Sequence, residues 1–102
     1  MEVAIMKDEN KTKIINAVTN LSTALKKYHP NTETCNYVEI TLTELKKKDG
    51  KAFTGAFLYF LTKASMLRTS ENVILNDTES KLWHKMSALK NLGNDFFFGM
   101  GL

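Results

Sequence analysis

The chain has 102 residues, of which 43% are hydrophobic and 25% charged, and its net charge is +3. This composition excludes a disordered or fibrous chain, and the length fits one globular domain over residues 1–102. Only one of the 14 basic residues, Arg68, is an arginine, the side chain that pairs bidentately with guanine, so sequence-specific reading of DNA is disfavoured.

Cysteine content and the distribution of apolar residues predict a cytoplasmic protein without a membrane span. Cys35 is the single cysteine and cannot form an intramolecular disulfide, and residues 1–7 lack the pattern of a secretory signal. The uncharged run 52–62 lies between Lys51 and Lys63, and it is well short of the roughly 20 apolar residues that cross a bilayer.

The first predicted element is an amphipathic helix over residues 9–28. Its apolar positions recur at spacings of three and four residues, which places them on one face: Ile14, Val18, Leu21, Leu25 and Tyr28. Pro30 disfavours the α conformation at the preceding residue and ends the helix near His29, and a loop is expected over residues 30–34.

The period then changes, and residues 35–42 alternate in the manner of a short strand rich in β-branched residues. A brief helical turn follows over residues 43–49, where Gly50 can adopt the left-handed conformation that closes a helix. Two further β-prone runs, 2–6 and 72–75, leave open a small two- or three-stranded sheet.

Two more helices complete the predicted fold. Residues 51–68 are apolar on nearly every side, as is typical of a central, buried helix, and residues 78–92 form a helix capped by Asn76 or Asp77 and ended by Gly93. The predicted class is therefore mostly α, a compact single domain of three main helices plus a short helical turn, with an α+β fold as the alternative.

The apolar C-terminal tail, residues 94–102, gives the main functional prediction. Three consecutive phenylalanines cannot all point into the core of one small body, and contiguous exposed apolar surface usually marks an interaction site. We therefore expect a small non-enzymatic interaction protein, an adaptor, inhibitor or regulator, that binds a protein partner or forms a homo-oligomer. The predicted partner-binding residues are Trp83, Phe96, Phe97, Phe98, Met100 and Leu102.

No pattern in the sequence predicts catalysis, a metal or a cofactor. The spacing of His29, Glu33 and Cys35 matches no structural zinc pattern, and Cys35 has no evident base to activate its thiol. The pair Gly99 and Gly101 has neither a strand before it nor a helix after it, as a phosphate-binding loop requires.

The alternative function is a nucleic-acid-binding accessory protein that contacts phosphates. It depends on six lysines in two short clusters: Lys26, Lys27, Lys46, Lys47, Lys48 and Lys51. A helix-turn-helix over residues 43–68 is disfavoured because its second helix would present aromatic side chains where a groove reader needs polar ones.

Overall fold

The structure is a computed structural model that describes residues 8–90, and within this range it consists of four α-helices joined by short loops. They are α1 (Asp8–Tyr28), α2 (Glu33–Lys46), α3 (Gly50–Ser70) and α4 (Asp77–Ala88). The mostly helical prediction is confirmed. The predicted strand 2–6 and the tail 94–102 lie outside the described residues.

The helices pack around one hydrophobic core. The closest helix pairs are α1 with α2, α1 with α4, and α2 with α3. All four helices contribute buried side chains to a single cluster, which consists of Ile14, Val18, Leu21, Leu25, Cys35, Val38, Leu45, Phe53, Phe57, Phe60, Ala64, Trp83 and Met86.

The amphipathic pattern of α1 is confirmed. Ile14, Val18, Leu21 and Leu25 have no exposed surface, whereas Tyr28, at the end of the predicted stripe, is 42% exposed. The helix ends at Tyr28, immediately before the turn that Pro30 imposes.

The structure corrects the strand predicted at residues 35–42, because this segment is the middle of α2. Thr32 caps the helix, its hydroxyl oxygen accepting the Cys35 N–H at 3.0 Å. Cys35, Val38 and Leu45 are buried at helical spacing, and Ile40, which completed the apparent alternation, is 62% exposed. The short helical turn predicted at 43–49 is the end of this same helix.

The structure also corrects the central position predicted for residues 51–68. These residues form most of α3, which among the described helices packs most closely against α2 and has both buried and exposed sides. Gly50 has a positive φ of 56°, the conformation predicted for it, but it begins α3 rather than closing the preceding turn.

Residues 72–75 do not form the predicted strand. Asn72 has φ 59° and ends α3 in the left-handed conformation, with the Asn72 N–H donating to the Thr69 carbonyl and the Val73 N–H to the Arg68 carbonyl. Residues 73–76 are irregular, and among residues 8–90 no strand is present for them to pair with. The sheet alternative therefore has no support in the described part of the chain.

Gly55 lies in the middle of α3, where a methyl group would meet nothing within 4 Å. Because glycine loses more backbone entropy than alanine in a helix, we expect Gly55→Ala to raise the free energy of unfolding by about 0.5–1 kcal/mol. Urea denaturation followed by circular dichroism measures this change. A loss of stability would mean that Gly55 is in close contact with a segment outside residues 8–90.

Glu71, just after α3, holds the first turn of α2. Its carboxylate accepts the Glu33 N–H at 2.7 Å, the Thr34 N–H at 2.9 Å and the Thr34 hydroxyl at 2.7 Å. These hydrogen bonds stabilise the ionised carboxylate and so lower the pKa of Glu71 from its ordinary value. The Glu33 N–H has the largest effect, followed by the hydroxyl and the N–H of Thr34. The carboxylate thereby joins the end of α3 to the start of α2.

This depressed pKa predicts a stability difference that depends on pH. The pKa of Glu71 is lower in the folded state than in the unfolded state. The carboxylate therefore contributes fully to the free energy of unfolding above the unfolded-state pKa, about 4.3, and this contribution is lost as pH falls through the folded-state pKa. We expect Glu71→Gln to be less stable than the parent at neutral pH, and the gap to narrow in acid. Urea denaturation at several pH values tests this, and a gap that is constant with pH would contradict it.

α4 begins with a capping box, and its buried carboxylate also reaches the end of α1. The Asn76 side chain accepts the Glu79 N–H at 2.8 Å, and Glu79 Oε1 accepts the Asn76 N–H at 3.0 Å. Glu79 Oε2 lies 2.6 Å from Nδ1 of His29, and Glu79 has no exposed surface. One side chain therefore caps α4 and connects it to the turn after α1.

Candidate protein-interaction surface

The outward side of α3 carries large apolar side chains in water. Tyr59 is 64% exposed and Met66 is 67% exposed, and they lie two helical turns apart on the same side. Tyr59 and Met66 lie in a shallow concavity of about 370 Å³, which is also lined by Thr62, Lys63, Leu67 and Ser70. We call Tyr59, Thr62, Lys63 and Met66 the α3 outer face.

This face exists because the buried positions of α3 use only one side of the helix. Phe53, Phe57, Phe60 and Ala64 are at most 1% exposed and recur at spacings of four, three and four residues. That spacing fixes one stripe toward the core. The remaining positions point away from it, although they too are apolar or uncharged in much of the helix.

All the charged side chains of α3 are positive. Its 21 residues include three basic side chains, Lys51, Lys63 and Arg68, and no Asp or Glu. Lys51 and Lys63 are exposed, whereas Arg68 is half-buried. The α3 outer face therefore combines two large apolar side chains, Tyr59 and Met66, with the positive charge of Lys63.

Lys63 connects the outer face to α2. Its ammonium lies 6.0 Å from the ring centroid of Tyr37 and 6.0 Å from that of Tyr59. The Tyr37 ring in turn packs against Phe60, with centroids 5.7 Å apart. At 6.0 Å the ammonium of Lys63 is within range of a cation–π attraction to both tyrosine rings, which links the outer face to α2.

Trp83, a predicted partner-binding residue, lies in the core. Its side chain is 6% exposed, and the Arg68 guanidinium lies over its ring at 5.0 Å from the centroid. This stack joins α3 to α4, so Trp83 offers almost no area to a partner. The other predicted partner-binding residues lie outside the described range: Phe96, Phe97, Phe98, Met100 and Leu102.

The six predicted phosphate-binding lysines form two separate groups. Lys26 and Lys27 lie near the end of α1, and Lys26 pairs with Glu39 at 2.7 Å. The second group lies at the α2–α3 junction, near Lys11, which pairs with Asp49 at 2.8 Å; it consists of Lys46, Lys47, Lys48 and Lys51. Lys11 and Lys26 are separated by roughly 22 Å along α1, so no single patch forms.

His29 and Cys35, two side chains with potential catalytic or metal-binding chemistry, have structural contacts. His29 faces the Glu79 carboxylate, and Cys35 is 3% exposed, where burial raises the pKa of its thiol and keeps it protonated. Within residues 8–90 no group of three or more His, Cys, Asp or Glu side chains converges in a way that could hold a metal ion.

Sequence reasoning missed Tyr59 and Met66 because it assigned residues 51–68 to the core. One signal could have found them: Phe53, Phe57 and Phe60 already fill a helical stripe, and Tyr59 and Met66 fall outside it. The absence of any acidic residue on α3 is a second signal.

No protein-family model, curated protein or solved structure matches this chain. The helices of the described part are each too short or too polar to span a membrane.

Proposed function

We propose that this protein is a small non-enzymatic interaction domain that binds another protein through the α3 outer face. The observation that carries the proposal is the exposure of Tyr59 and Met66 on one side of a helix whose other side is already filled by the core. Large exposed apolar side chains that cluster on one face are a common feature of binding sites.

The shape of the face favours a helical partner segment. α3 has 21 residues and spans about 30 Å, and small side chains, Ala52 and Gly55, are exposed toward its N-terminal end. Such positions allow a second helix to approach closely, while Tyr59 and Met66 can pack between its side chains.

The charge of the face favours an acidic partner. Lys51 and Lys63 are exposed on α3, and no carboxylate of that helix opposes them. A second copy docked α3 against α3 would bring lysines together, which costs free energy. The partner that fits is an apolar helical segment flanked by Asp or Glu. The predicted homo-oligomer stays a prediction, which the mass of the chain in solution tests.

Photo-crosslinking followed by reconstitution tests the proposal. A benzophenone amino acid at position 59 or 66 should capture one partner in the native host, whereas the same group at Lys13, an exposed position on α1, should not. With the purified pair, Tyr59→Glu with Met66→Glu should weaken binding about tenfold or more, and Lys63→Glu should weaken it more than Lys13→Glu. Equal capture at position 13, or unchanged affinity of the double variant, would overturn the proposal.

A second candidate function, binding of nucleic-acid phosphates, is favoured by one observation. Lys46, Lys47 and Lys51 are exposed together where α2 ends and α3 begins. This function predicts that affinity for an oligonucleotide falls steeply with salt, and that replacing Lys46, Lys47 and Lys48 by Ala reduces the salt dependence. Absence of binding at low salt would exclude it.

A further inference from the structure

The described chain ends beside α3. Ser87 and Lys90, at the end of α4, line a groove together with residues of α3: Leu58, Leu61, Thr62 and Ser65. The described chain therefore ends at one edge of this groove, on the side of α3 that faces α4.

The groove continues onto the α3 outer face. Thr62 lines both this groove and the concavity around Tyr59 and Met66, and Ser65 lines both it and a shallow apolar depression beside Met66. A chain that leaves Lys90 and crosses α3 thus meets first a largely polar surface and then an apolar one.

The sequence of residues 91–102 likewise begins with polar residues and continues with apolar ones. Three of its first five residues are polar, namely Asn91, Asn94 and Asp95, and the next seven are Phe-Phe-Phe-Gly-Met-Gly-Leu. Five extended residues span about 17 Å, more than the width of one helix with its side chains, about 10–12 Å. Phe96 and the residues after it can therefore reach the outer face.

The charge of this segment is complementary to the charge of the α3 surface. Asp95 is the single charged residue of the segment 91–102. The surface it would cross has Lys63 and Lys90 at its edges and no carboxylate from α3. A carboxylate in this segment meets only positive charge from α3, whereas a lysine there would be repelled.

We propose that residues 91–102 bind across the α3 outer face of their own molecule and cover Tyr59. The same molecule is the source because attachment at Lys90 gives the segment an effective concentration in the millimolar range at this surface. The segment then competes with the acidic helix of the proposed partner, which must displace it. Only this competition rests on the proposed function; the intramolecular contact does not.

Disulfide trapping in the full chain tests the contact. In a Cys35→Ala background, Thr62→Cys with Phe97→Cys should form an intramolecular disulfide under mild oxidation. Lys13→Cys with Phe97→Cys is the control, because Lys13 is also exposed and α1 packs beside α4. We expect trapping at position 62 to be about tenfold faster or more. Equal rates at the two positions, or mainly disulfide-linked dimers, would overturn the proposal.

Oxidation of methionine gives a second measurement that needs no engineered cysteine. When Phe96, Phe97 and Phe98 are replaced together by Ser in the full chain, Met66 should be oxidised by hydrogen peroxide at least about threefold faster, because exposure governs this reaction. Met86 has no exposed surface and reports that the fold is intact. An unchanged rate at Met66 with Met86 still protected would overturn the proposal.

The partner measurements separate the two proposals. If the segment competes, the same triple Ser variant should bind the purified partner more tightly than the parent, since the free face is more populated. If trapping at position 62 fails while Tyr59→Glu still weakens partner binding, the self-docking is refuted and the interaction function stands.

Discussion

Phe57→Ala is expected to lower the free energy of unfolding by about 3–5 kcal/mol, the range measured for truncating a buried phenylalanine. Phe57 has no exposed surface and stacks with Phe60, their centroids 6.4 Å apart. Domains of this size have about 5–15 kcal/mol in total, so the variant should lose a large share of its stability. Urea denaturation followed by circular dichroism measures the loss.

The matched control is Tyr59→Ala, an aromatic truncation two residues away on the same helix. Because Tyr59 is 64% exposed and lies outside the buried stripe of α3, we expect its truncation to cost much less than that of Phe57. Should the variant prove too unstable to measure, Phe57→Leu provides a milder change at the same site. Comparable losses at positions 57 and 59 would contradict the assignment of an inner and an outer face to α3.

The second large effect is expected at Glu79. Glu79→Ala removes the acceptor of the Asn76 N–H and the partner of His29 Nδ1. Because Glu79 has no exposed surface, both groups lose a buried partner. Loss of a helix cap together with a buried hydrogen bond to a charged group predicts a destabilisation of about 2–4 kcal/mol. Thermal and urea denaturation measure it.

Two further variants test whether this effect comes from the network. Glu33→Ala removes an exposed carboxylate from the first turn of α2 and should change stability by less than about 1 kcal/mol. A double-mutant cycle between His29→Ala and Glu79→Ala should give a coupling of about 0.5–3 kcal/mol. Additive losses would show that the hydrogen bond between α1 and α4 contributes little.

Local signals in the sequence were enough to predict three of the four helices. The stripe of α1 and the stop at Pro30 depend only on residues close in the chain, and α4 has a capping box readable from Asn76 and Glu79. These elements carry their own start and stop signals, so their positions follow from local chemistry.

The strand predicted at residues 35–42 is wrong because the two features that favour a helix there both lie outside that segment. Its β-branched residues alternate with polar ones, and Ile40 falls at an apolar position of that alternation although it faces solvent. What favours the helix is the Thr32 cap and the carboxylate of Glu71, which is 37 residues from Thr34. A contact at that separation has no local signature.

Of the predicted partner-binding residues, only Trp83 lies within the described range. The sequence predicts an exposed apolar aromatic surface that includes Trp83, whereas α4 places this residue against Arg68 and the core. Tyr59 and Met66 belong to a helix that is apolar on nearly every side in sequence, so the pattern predicts them to be buried. Which side of such a helix faces solvent depends on the number of its neighbours, and this is a property of the packed structure.

The stack of Arg68 on Trp83 provides the molecule with an internal optical probe. Trp83 is the only tryptophan, so its emission comes from one place, the contact between α3 and α4. A ligand that binds α3 without moving it should leave the emission wavelength unchanged, whereas one that pulls α3 away should admit water to the indole and shift the emission to the red. Fluorescence of the unlabelled chain can therefore distinguish docking on an intact bundle from docking that opens it.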